Sequence, residues 1–391
     1  MTPFSKVDKN TSYVLPLYIK ITIILIGFYV LINMLSIAQD IIVPLIFSVM
    51  IAVLLHPIVN FFVRIKINRV VAIIFTLLLT FLITATIAVI IFRQLGEFGK
   101  SWPLLVDKLT LMLNEATNWA SRYFDLSPWK VRQWITKAQE DALSFSNDEV
   151  GQTLFAVGNW IMIMLLVPVY VFILLFYNKL LIEFIHRLFA SRDQKRISRI
   201  ISETKTVIHS YLAGLIIEAV IVAVLNITVL LFLDIEYAIL LGILGALLNV
   251  IPYIGGIVAV ALPMMVALAT KTTSLFAFYV LLFYTIIQII DNNLIVPLIV
   301  SSKVKINALF AIIVVIAGNS LWGVSGMFLS IPLLAVVKVV FDHFGSLKPW
   351  GFLLGDTLPT MPLKTQSIIK NGKQNLYCKI EAFTFNIKKF K

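Results

Sequence analysis

Two carboxylic acids stand inside long apolar stretches of this 391-residue chain, Glu218 and Asp291. Ionisable groups within membrane spans are costly and are kept mainly for function. A carboxyl shielded from water is also what proton exchange near neutral pH requires. Each has a plainer structural reading: Glu218 lies about two turns from the basic end of its segment and can snorkel or pair there. Asp291 shares its segment with Gln288, Asn292 and Asn293, and can simply hydrogen-bond a neighbouring helix. A second polar set marks places where glycine and proline interrupt apolar runs. Asn249 and Tyr253 accompany Pro252, Gly255 and Gly256, while Asn319, Ser320 and Ser325 accompany Gly323 and Gly326. Such uncharged donors and acceptors suit a polar neutral ligand or an ion stripped of water; alternatively the asparagines cap helix ends. His56 and Asn60, with Pro57 between them, read as interfacial.

Other chemistry is excluded by what the chain lacks. It has no Gly-x-x-x-x-Gly-Lys-Ser/Thr loop, no His-Glu-x-x-His and no Gly-x-Ser-x-Gly, so neither ATP-driven pumping within this chain nor an enzyme is expected. Its one cysteine, Cys378, rules out an internal disulfide and a cysteine-based metal cluster, and no metal or cofactor is expected. With 60% hydrophobic and 13% charged residues, the chain falls far below the ~25% charge of soluble domains. The net charge of +12 does not signal nucleic-acid binding, because the basic residues cluster beside apolar runs, as in cytoplasmic loops.

The elements that must position these residues are membrane spans of about 20 residues. Apolar runs at 17–37, 41–63, 70–92 and 153–177 make four crossings; the first is longer than the apolar core of a signal peptide. Arg64, Lys66 and Arg69, and the basic residues from Lys179 to Lys205, place two loops in the cytoplasm. Residues 93–152 hold seven basic and eight acidic residues and belong outside. There, Ser101 and Pro103 suit a helix start ahead of a stripe of Leu105, Leu109, Met112, Ala116, Trp119 and Tyr123. Ser127-Pro128 opens a second striped helix. Their stripes, with Trp102, Trp119, Trp129 and Trp134, suit the headgroup layer, a neighbouring subunit, or a hairpin packed on its own subunit. A basic amphipathic helix with Ile197, Ile201, Ile208 and Tyr211 leads into a fifth crossing at 211–233.

Beyond it, residues 237–270 carry no charge for 34 residues, with the Pro252–Gly256 break in the middle. A broken helix in hydrocarbon persists only buried in protein or lining a cavity, so two arms of about 15 residues, each roughly 22 Å long, meet at a polar tip. A full crossing at 275–300 follows, then a second uncharged run of 32 residues at 306–337, broken at Gly318–Gly326. Asn249 and Asn319 are 70 residues apart, Gly256 and Gly326 are 70 apart, and Pro263 and Pro332 in the second arms are 69 apart. One crossing plus one hairpin is therefore used twice, in inverted orientation. Paired interrupted segments of this kind point to a transporter's substrate site. Lys303 and Lys305 then fall on the cytoplasmic side, a parity that two short full crossings per broken run would share.

The Leu248–Gly256 run, the Asn292-Asn293-x-x-x-Pro297 segment and the Gly323–Pro332 stretch resemble the autoinducer-2 exporter family of bacterial permeases, as does Ile41-Ile42-Val43-Pro44. The likeness covers roughly 17–356, with Ser301 in place of a frequent glycine. It implies a multi-pass bacterial inner-membrane transporter, a homo-oligomer with a pentamer among its forms, and an elevator-like movement. Members are linked to export of the small quorum-sensing sugar derivative or to Na⁺/H⁺ antiport.

The expected fold is an all-α polytopic membrane protein: four scaffold spans, an amphipathic outer helical insertion, then an inverted repeat of transmembrane helix plus interrupted hairpin. Its parts are 1–92 (tail and spans one to three), 93–152 (outer insertion), 153–210 (span four and basic helix), 211–345 (transport core) and 346–391 (basic cytoplasmic tail). Both termini are expected in the cytoplasm. Expected partners are the lipid bilayer and a small polar solute or Na⁺ and H⁺. Expected binding residues are Glu218, Asn249, Tyr253, Gln288, Asp291, Asn292, Asn293, Asn319 and Ser320, with Pro252, Gly255, Gly256, Gly323, Gly326, Pro263 and Pro332 shaping tips and hinges. A non-transporting membrane scaffold or regulator is the reading from another class.

Overall fold

A computed structural model describes residues 16–124, 133, 137, 166–189, 193–250, 255–300 and 306–356. Among them every regular element is helical. The order is α1 (Leu17–Ile37), α2 (Gln39–Arg64), α3 (Arg69–Phe124), α4 (Leu166–Phe176), α5 (Asn178–Leu188), α6 (Gln194–Phe232), α7 (Ala238–Asn249), α8 (Gly255–Thr270), α9 (Leu275–Ile290) with a π-helical continuation Asp291–Val300, α10 (Ala308–His343) and α11 (Lys348–Leu354). Among the described residues six helices are long and apolar enough to cross a membrane, or seven if the α4–α5 pair, bent by 65°, is one span. The chain is a multi-span all-α membrane protein. Most of the second outer helix, Trp129, Trp134, most of the fourth crossing, Ser301, Lys303, Lys305 and the tail beyond Asp356, with Cys378, lie outside the described residues.

The helix of the third crossing continues well past Phe92. Helix α3 runs 56 residues to Phe124 with Pro103 inside it, roughly 80 Å at 1.5 Å per residue. The expected helix start at Ser101 and Pro103 is therefore corrected: a local start signal is overridden where the helix finds a packing surface. That surface is the base of the α7–α8 hairpin. Leu105 joins a buried cluster with Leu230, Leu233, Ile235, Val266 and Ala269. Tyr237 Oη donates to Ser101 Oγ at 2.7 Å, and Lys108 Nζ donates to the Ala269 carbonyl at 2.8 Å. The lysine thereby satisfies one of the carbonyls left free at the end of α8. The first part of the outer stripe packs on its own subunit through Leu105 and Leu109, while Leu111 and Leu113, off the stripe, are exposed.

The two broken runs both fold back on themselves. In the first, α7 and α8 span 12 and 16 residues, about 18 and 24 Å, so α7 is short of a ~30 Å hydrocarbon core. Its two ends are bridged by Asp234 and Lys271, whose ion pair measures 2.8 Å. The Lys271 ammonium holds the Asp234 carboxyl below the usual carboxylate range. In the second, α10 leaves helical geometry at Trp322 and at Gly323, where φ is +60° and ψ is −142°, a combination open essentially to glycine. A Cβ added at Gly318 would strike Ser330 Oγ and the Gly326 carbonyl, and one added at Gly326 would strike the Gly318 carbonyl. Twelve residues of straight helix would put Gly318 and Ser330 about 18 Å apart, so the contact requires a reversal at Trp322–Gly323. The arms are 308–321 and 324–343. Pro263 and Pro332 sit within the second arms, fully buried, away from the tips.

Candidate functional site

The site is assembled where α6, the first hairpin and α9 converge. Helices α6 and α7 run antiparallel, and their register can be read from contacts. Ile227 lies against Gly242, the Asn226 amide against Gly245, and Val222 packs with Ala246 and Ile295. Continuing this progression brings Glu218 toward the level of Asn249 at the tip. Glu218, Val222, Asn226 and Leu230 form one buried stripe at steps of four, the spacing of one helix face.

Asn249, the last residue of α7, donates through Nδ2 to Asp291 Oδ2 at 2.8 Å. Asp291 opens the π segment, where the helix widens as helices often do at functional positions. It is only 2% exposed, and its other oxygen, Oδ1, has no hydrogen-bond partner. Glu218 is 5% exposed, and its carboxyl is near enough to that of Asp291 for the two to interact through space. Neither acid makes an ion pair among the described residues. Gln288, one turn before Asp291, places Oε1 over Gly256, where an added Cβ would stand 3.0 Å from it. A Cβ at Gly255 would strike the Leu248 carbonyl, so the first hairpin turns back only because glycine is there. Burying a carboxylate oxygen without a partner is expensive. The arrangement is suited to taking up a proton, a cation or a hydrogen-bonding solute.

Four expected residues are thus brought together, Glu218, Asn249, Gln288 and Asp291. Asn292 accepts from Gln288 Nε2 at a long 3.4 Å, and Asn293 turns back to the Ile289 carbonyl at 2.8 Å; both are exposed. Asn319 and Ser320 are exposed too, and Ser320 Oγ donates to the Ile316 carbonyl at 3.1 Å. Pro252 and Tyr253 lie outside the described residues. The tips approach a common surface: Val250 from the first and Trp322 from the second pack on a cluster containing Met50, Tyr211, Leu212, Leu215 and Leu329. Trp322 Nε1 also donates to the Leu35 carbonyl at 3.0 Å, at the end of α1. Among the described residues no group of three or more His, Cys, Asp or Glu side chains is placed to hold a metal ion.

Asn226 is the site residue that sequence reasoning passed over. Its burial is as deep as that of Asp291, at 2% exposed, and its Oδ1 has no partner. The available signal was its position two turns after Glu218 on one face of an otherwise apolar span.

A family model described as AI-2E family transporter matches residues 19–345. The chain belongs to the AI-2E transporter family. It is 26% identical over 341 residues to the AI-2 transport protein TqsA of Escherichia coli, covering 86% of this chain and 96% of that one. It is 24% identical over 309 residues to the putative transport protein YueF of Bacillus subtilis, covering 76% and 83%. A match to the putative transport protein YrrI of Bacillus subtilis, 26% identical over 151 residues, spans 39% of this chain and 42% of that relative. As an AI-2E family member, this chain is a membrane transporter, and the buried site lies wholly within the matched range.

Proposed function

We propose that this protein is an ion-coupled secondary transporter of the bacterial inner membrane that exports a small polar metabolite of the autoinducer-2 kind. The observation that carries the reading is the Asn249–Asp291 hydrogen bond, which leaves one carboxylate oxygen buried and unsatisfied at the mouth of a broken helix. Interrupted helices supply transport sites because unwound backbone and nearby polar groups replace a ligand's water. The TqsA relative supplies the solute class through its name.

In this reading the two hairpins are re-entrant, their repeats are inverted, and 211–345 moves elevator-like against a homo-oligomeric scaffold with both termini in the cytoplasm. The short α7 arm and the fold-back at Trp322–Gly323 support it. A second reading, Na⁺/H⁺ antiport, draws on the burial of Glu218 and Asp291 in adjoining helices, since two interacting acids titrate as a pair and can hold a proton or a cation in turn.

The test is release of labelled autoinducer-2 from proteoliposomes under an imposed pH gradient. Wild-type protein is expected to release it, and Asp291→Asn to lose gradient dependence. Equal release by both removes Asp291 from coupling. No release by either, with intact gradients, favours antiport of ions alone or a non-transporting scaffold.

A further inference from the structure

The reading above uses Asp291 but leaves the Asn226 amide without a task. Asn226 projects from α6 onto Gly245 of α7, where a Cβ would stand 3.2 Å from its Nδ2. Asp291 meets the same helix at Asn249, one turn farther on, about 6 Å along the axis. Each residue is 2% exposed, and each presents an Oδ1 with no hydrogen-bond partner. Gly245 matters to this geometry because any side chain there would press on the amide. Val222, Ala246 and Ile295 form the apolar packing beside the strip.

Two unsatisfied oxygens flanking one helical turn are acceptors without donors, and Gln288 adds a third oxygen at Gly256. Water-poor rows of oxygen acceptors replace the hydration shell of a cation. We propose that Asn226 is the second oxygen station for a dehydrated monovalent metal cation, one turn of α7 away from the Asp291 carboxylate. The cation exchanges between Asp291 Oδ1 and Asn226 Oδ1, while the amide nitrogen of Asn226 stays against Gly245. The proposal rests on the reading of Asp291 as the coupling site and names the class of ion it takes.

Purified full-length protein is titrated with NaCl or LiCl against choline chloride at constant ionic strength, with the thermal unfolding midpoint as readout. Saturable stabilisation of the wild type by Na⁺ or Li⁺ is expected. Asn226→Leu should raise the half-saturating concentration at least ~10-fold, the size of losing one good ligand. Asn226→Asp should retain binding and make it pH-dependent, which a merely structural amide would not do. Gly245→Ala, which crowds the amide without removing it, serves if Asn226→Leu does not fold and should also weaken binding. Wild-type protein indifferent to Na⁺ and Li⁺ overturns the proposal, as does wild-type titration in both Asn226→Leu and Gly245→Ala. If Asp291→Asn abolishes saturation while those two variants do not, only the role of Asn226 fails. If Asp291→Asn also titrates normally, the coupling reading fails with it.

Discussion

The glycines at the two tips do different work, and substitutions should separate them. Gly323 holds a backbone conformation reserved for glycine, yet an added Cβ would meet nothing within 4 Å; Gly323→Ala should cost about 1–3 kcal/mol from backbone strain alone. Gly326 is held against the Gly318 carbonyl, so Gly326→Ala must separate the arms and should lower the thermal midpoint further than Gly323→Ala does in the same detergent. Equal midpoints would contradict the fold-back. Asn249→Leu removes the donor to Asp291 and leaves both carboxylate oxygens unmet, an expected loss of about 1–3 kcal/mol, measurable by the same melt. Asn249, Gln288, Asp291 and the tip glycines were legible because polar or helix-breaking residues are conspicuous in uncharged runs. Asn226 was not, because one amide in an apolar span is usually read as packing glue, and only the register of α6 on α7 reveals that its oxygen is unmet.

At the scale of elements, the long α3 and the indole of Trp322 tie the hairpins to the rest of the chain. Lys108→Met leaves the Ala269 carbonyl without its charged donor and should destabilise by about 1.5–3 kcal/mol, seen as a lower unfolding midpoint. Lys271 and Asp234 are another matter. Asp234 is held low by the ammonium, so its contribution is present above the ordinary aspartate value near pH 3.9 and fades as pH falls through the depressed one. Its side chain is 95% exposed, so solvent screens the pair, and Lys271→Met should leave the melt at pH 7 nearly unchanged. The crossings and the two broken runs were readable from length, charge and glycine–proline punctuation. The continuity of α3 was not, because Ser101 and Pro103 are good local start signals. What overrides them is the burial of Leu105 against residues more than a hundred positions away.

For the whole molecule, the contacts constrain how the proposed transport core would move. The base of the first hairpin is joined to α3 through Ser101 and Lys108, and the second tip is joined to α1 through Trp322 and Leu35. A core sliding against a fixed α1–α2 scaffold must break the Trp322 contact and either carry the outer end of α3 with it or release Tyr237 and Lys108. The central claim, that Glu218 and Asp291 couple transport to an ion, is tested most directly by internal pH in proteoliposomes holding purified protein. Na⁺ or autoinducer-2 gradients are imposed, and wild type is compared with Glu218→Gln and Asp291→Asn. The account predicts a gradient-driven pH change in the wild type that is lost in both variants. A pH response of wild-type size in both variants, or none in the wild type under verified gradients, would contradict it.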